Sequence, residues 1–227
     1  MKRFPTKIRS SFIAATLAFS AILAPQSYAQ TETLDDLLPA PQPGAKYRGL
    51  NASVRLFDTV LVYPLPDWSP TERSSNPLKA SKFNRTQKGN IFSLQMVPKE
   101  EEFKSWRNLY AIVGVANFPG NTRSHADQII KQFRAGCRPS NLSIRPGSGN
   151  RNKAIIVIAC GSYARKQDEG EIAAFVIFQH GKTAVRIYRE WRGPAFQAGT
   201  SATWPVSPEE VQRVLRTMHA STLTGPK

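Results

Sequence analysis

The chain is poor in the residues that most enzyme chemistry needs. It has 2 cysteines, 3 histidines and 3 methionines among 227 residues. The cysteines are Cys137 and Cys160, so no Cys-x-x-Cys redox motif exists. His125, His180 and His219 are scattered and offer no metal-ligand spacing. Serine-hydrolase and Walker patterns are absent. The Gly-rich run from Arg145 to Asn150 precedes a strand-like stretch, not a helix, so it reads as a flexible turn and not as a phosphate cradle. No catalytic residue, metal ligand or cofactor is assigned from the sequence.

Acids are scarce as well. There are 16 Asp and Glu against 31 Lys and Arg, a formal net charge of +15. From Arg73 to Lys99 there are six basic residues and no acid; from Gln128 to Gln167 there are eight and none. Such zones attract anions over a Debye length of about 8 Å at physiological salt.

Long apolar runs are missing beyond the first segment, and that segment is too short to span a bilayer. Phe12 to Ala24 gives thirteen mostly apolar or small residues, whereas a span needs about 20. Lys2, Arg3, Lys7 and Arg9 precede the run, and Ser27-Tyr28-Ala29 follow it. Basic start, apolar middle and small-residue end make a secretory signal, with cleavage expected between Ala29 and Gln30. The expected location is therefore periplasmic or secreted, with no membrane span after signal removal. Export argues against nucleic acid as the partner. It points instead to an anionic envelope component (lipopolysaccharide, phospholipid or cell-wall polymer) or an acidic protein.

The expected organisation is a signal over 1–29, a Pro-rich leader over 30–50, one domain over 51–222 and a disordered tail over 223–227. Ser53–Tyr63, Ile91–Val97, Leu109–Phe118, Ala154–Tyr163, Glu171–Gln179 and Thr183–Trp191 read as strands from their β-branched and aromatic content. Asp168-Glu169-Gly170 and His180-Gly181 join the last three into an antiparallel meander. Lys99–Trp106 reads as one helical turn that buries Trp106.

Two helices stand out. Ser124 is the expected N-cap of the first, with His125 facing solvent and Ala126, Ile129, Ile130 and Phe133 on one apolar face. Ser207 caps the second, with Pro208 at its first position and Glu210 completing a capping box. Its buried face is Val211, Val214, Leu215 and Met218, and His219 near its end suits the helix dipole when protonated. The fold class is α+β: an antiparallel sheet of about six strands with two main helices packed on one face. This layout resembles the PsbP-like and Mog1-like sandwiches, without a motif specific to either.

Cys137 continues the apolar face of the first helix, and Cys160 shares strand parity with Ile156 and Ile158. In an oxidising compartment the two are expected to form a structural disulfide. The competing use of Cys160, as a nucleophile beside His180 at a hairpin tip, lacks a third residue to orient the imidazole.

Two groups are candidates for binding anions. Lys79, Lys82, Arg85 and Lys88 fall three apart in the polar stretch Ser69–Asn90, which reads as a solvated loop; on a helical turn they would form one stripe. Arg186, Arg189 and Arg192 are interleaved with Tyr188, Glu190 and Trp191. The expected function is a non-enzymatic exported binding or accessory protein with a basic surface. The alternatives are a subunit of an envelope or secretion complex, and a hydrolase or thiol enzyme using Cys160.

Overall fold

The computed structural model describes residues 50–69, 77–147, 149 and 152–225. The expected signal and all but the last residue of the leader lie outside this range.

Two antiparallel sheets carry the domain. The larger has seven strands: β3 (Ser81–Lys88), β4 (Ile91–Pro98), β5 (Asn108–Val115), β9 (Thr183–Pro194), β8 (Glu169–His180), β7 (Lys153–Cys160) and β6 (Leu142–Pro146), in that spatial order. The smaller sheet orders β1 (Asn51–Leu56), β2 (Thr59–Pro64) and β10 (Thr222–Thr224). Two helices accompany them, α1 (Thr122–Gly136) and α2 (Pro208–His219). The α+β class and the β7–β8–β9 meander stand as expected. Gly181 turns the β8–β9 hairpin with a φ of 55°, a left-handed conformation that suits glycine.

The helices lie on opposite faces of the large sheet, not on one. Val211, Val214, Leu215 and Met218 of α2 share a core with Ile172, Ala174, Val176 and Phe178 of β8, and with Leu56, Leu61 and Tyr63 of the small sheet. Ala126 and Ile129 of α1 pack with Ala173, Phe175 and Ile177 of the same strand. Both parities of β8 are buried, which is why Ile172–Phe178 is an unbroken apolar run. Fully burying one large aliphatic side chain stabilises by about 1.5–3 kcal/mol, so each face of this strand is a major store of folding free energy.

Several boundaries differ from expectation for local reasons. Ser53–Tyr63 is not one strand but the β1–β2 hairpin, turned at Phe57-Asp58 with Phe57 at a φ of 55°. Thr222–Thr224 pairs with β2, so the domain continues into the expected tail. The N-cap of α1 is Asn121, three residues before Ser124. The Asn121 side chain accepts from the Ser124 N–H at 3.0 Å, and the Ser124 hydroxyl oxygen accepts from the Asn121 N–H at 2.8 Å. In α2, Ser207 does accept from the Glu210 N–H at 3.2 Å, but the Glu210 carboxylate turns to Arg213.

Residues 99–107 form successive turns, not a helical turn. Glu101 sits there and accepts from the Arg107 and Asn108 N–H groups at 2.7 and 2.8 Å, which fixes the start of β5. Trp106 is buried as expected. At the end of α2, burial and nearby Lys153 push the His219 pKa down, opposite to the expected protonated cap.

Candidate functional site

The sequence candidates separate in space. Lys79 lies in the short 3-10 turn Pro77–Ala80, and the other three lie in β3, where neighbouring side chains alternate between faces. Lys82 and Lys88 therefore share one face and Arg85 takes the other, so no single stripe forms. Lys82 is ion-paired with Glu102, and the Arg85 guanidinium lies over the Phe92 ring at 5.3 Å.

The β9 arginines also divide. Arg189 belongs to the α2 face and is 3% exposed. It sits 4.4 Å from the Trp68 ring and 5.0 Å from the Trp191 ring. Its Nη2 donates to Asn108 Oδ1 at 2.9 Å, and Asp67 lies 3.8 Å away. Arg213 of α2 reaches the same Asp67 at 2.8 Å. Burial lowers the Arg189 pKa to about 10, against the pull of Asp67, which keeps it charged at neutral pH. This guanidinium ties the 65–69 segment, β9 and α2 together; its fork is committed inside the fold.

Arg186, Tyr188, Glu190 and Arg192 occupy the opposite face, beside α1. At one end, Arg186 Nη1 approaches His125 Nε2 at 3.3 Å. His125 is 1% exposed, not solvent-facing, and packs on Phe118 with ring centroids 5.0 Å apart. A guanidinium can only donate, so Nε2 is the acceptor and the ring is neutral. Burial first, and the Arg186 charge second, push its pKa down to about 4.

At the other end the register lines up Cys160, Glu171 and Arg192 across β7, β8 and β9. Cys160 is fully buried at bonding distance from Cys137, with Cα atoms 5.7 Å apart. His180 is nine residues along β8 from the residue facing Cys160, roughly 30 Å at strand rise. The two do not form a nucleophile–base pair. Glu171 is buried, and its carboxyl faces the Tyr163 hydroxyl. Burial raises the Glu171 pKa, outweighing Tyr163 and Arg192; burial and the Glu171 charge raise that of neighbouring Glu190 well above the usual range. Gly170, just before Glu171, has no room for a side chain: a Cβ would come within 2.6 Å of the Cys160 carbonyl oxygen.

A basic surface adjoins this end. Lys131 and Arg134 lie on the exposed side of α1, and Arg138 and Arg165 are exposed just beyond it. The Ala164 N–H donates to the Gly136 carbonyl at 2.9 Å and the Arg138 N–H to the Ser162 carbonyl at 3.0 Å, so the 162–165 segment is fastened to the end of the helix. All four belong to the acid-free Gln128–Gln167 stretch. The sequence signal was the missing acid; the individual residues were not singled out because their convergence depends on that fastening.

Among the described residues no group of three His, Cys, Asp or Glu side chains is placed to hold a metal ion. No helix there is long and apolar enough to cross a membrane.

No protein-family description matches the chain. No curated protein matches it either. Among solved structures, the chain is similar to the Saccharomyces cerevisiae Ran-binding protein Mog1p at 12% identity, covering 77% of this chain and 95% of that one with a TM-score of 0.44.

Proposed function

We propose that the chain is an exported, non-enzymatic binding or accessory protein that holds an anionic component of the cell envelope on a basic surface. The observation that carries the reading is the exposure of Lys131, Arg134, Arg138 and Arg165 along the last turns of α1 and in the segments fastened to its end. Each exposed charge alone is worth little. Several acting together over a polyanion attract it strongly and in a salt-dependent way. The signal-like first segment supplies the compartment, and lipopolysaccharide or anionic phospholipid supplies the partner.

The test is retention of the exported chain on anionic against neutral vesicles of equal size. Strong retention on the anionic ones is expected, and its release in 1 M salt. Changing Lys131, Arg134 and Arg165 together to glutamine should weaken it at least tenfold. Equal retention on both surfaces would overturn the reading, and capture of an acidic protein in place of either would redirect it.

A further inference from the structure

Attraction by a charged surface is not selective; a selective contact needs a donor whose hydrogen bonds are still to be made. Arg192 keeps one such donor, its Nε, while the rest of its guanidinium faces the Tyr163 hydroxyl and the Glu171 carboxyl. Its guanidinium lies over the Trp106 ring at 3.7 Å and near the Tyr163 ring at 5.9 Å. Its Nη2 reaches Glu171 only at 3.9 Å, an ion pair too long for a hydrogen bond. Its Nε is buried and has no hydrogen-bond partner among the described residues. A desolvated donor left unsatisfied is unfavourable, so an acceptor from outside would be well received. The side chain is 25% exposed, which leaves an approach.

The surroundings are built to hold this geometry. Cys137 and Tyr163 form a β-bridge, and Cys137 lies at bonding distance from Cys160, next to Glu171 in the register. The segments bearing Tyr163 and Glu171 are thus fastened to one another beside the guanidinium. Arg138 and Arg165 lie in the two segments that meet at that bridge, and Glu169 beside it is ion-paired with Lys166. We propose that Arg192, seated on Trp106, is the anchor of a site for a phosphate group. A guanidinium fork matches phosphate oxygens two at a time. Burial raises the pKa of both nearby carboxyls, Glu171 and Glu190, which lessens their repulsion of an anion. The inference deepens the envelope reading by naming the chemical group that the surface delivers.

Two probes decide it: inorganic phosphate, and phosphatidic acid in phosphatidylcholine vesicles. The exported chain is titrated at constant ionic strength while the Arg192 Nε–H and Trp106 indole N–H resonances are followed. Saturable shifts in both are expected, and Arg192→Lys should weaken binding at least tenfold. Lys88→Gln, on the exposed edge strand β3 away from the site, is the control for fold and net charge; it should retain both shifts. Response to inorganic phosphate alone identifies a free anion as the ligand, and response to both identifies a lipid headgroup. Absence of saturable shifts with either probe, or equal affinity in a folded Arg192→Lys chain, overturns the site. The envelope reading fails separately: a chain that adheres to anionic vesicles in a salt-dependent way without these shifts keeps the surface and loses the site.

Discussion

At the scale of single residues, His125 has the sharpest consequence. Its ring is neutral, buried, and accepts from Arg186. The folded pKa, about 4, lies below the ordinary histidine value of about 6.5. The unfolded chain therefore binds the proton more readily between these values. Stability from this residue is complete above the unfolded pKa and is lost as pH falls toward 4, at most about 3 kcal/mol for a shift of this size. Urea unfolding of the wild-type chain and of His125→Gln at pH 7 and pH 4 measures it. The wild type should lose more stability than the variant by an amount approaching that figure; an equal loss would place the acid sensitivity elsewhere. Sequence alone hid this histidine because it stands in the first turn of a helix, where exposure is the rule. The helix starts three residues earlier than its serine suggests, and His125 lies on its buried side.

Among the elements, legibility followed burial. The strands of the meander and α2 were readable because each buries a continuous run or a periodic face, and the pattern survives in one dimension. Strand β3 was not. Beyond Lys82 all its residues are exposed, so its Ser-Lys-Phe-Asn-Arg-Thr-Gln-Lys sequence has no apolar alternation and reads as a loop. It stands at the sheet edge, where lysines are common guards against further pairing. Strand β6 is the opposite edge, five residues ending in Pro146, with too few buried positions to announce itself. The opposite placement of the helices was masked by β8, whose two buried faces look alike in sequence.

The cysteine pair was legible, because parity on β7 and the end of α1 both pointed inward. A bond between Cys137 and Cys160, 23 residues apart, would restrict the unfolded chain by about 3 kcal/mol. Replacing both with serine should lower the melting temperature by about 6–12 °C for a domain of this size. A scan with and without reductant checks it, and an unchanged midpoint would refute the crosslink.

For the whole molecule, the small sheet matters most. Its central strand, β2, is flanked by β1 on one side and by β10 on the other, so residues near 60 await partners near 223. Asp67 likewise waits for Arg189 and Arg213, and Asp58 for Thr183. Contacts of such long range are made late, after the loop entropy between them has been overcome. Removing Thr222–Lys227 should leave the edge of β2 open. Amide exchange at Leu61 and Val62 should then accelerate at least tenfold while α1 keeps its protection; unchanged exchange would show that β10 is dispensable. The same dependence sets an order in time. Were the chain exported as proposed, with its first residues leading, β2 would emerge long before β10. It could not complete its second layer until β10 was through, and so it would remain threadable for almost the whole of that passage.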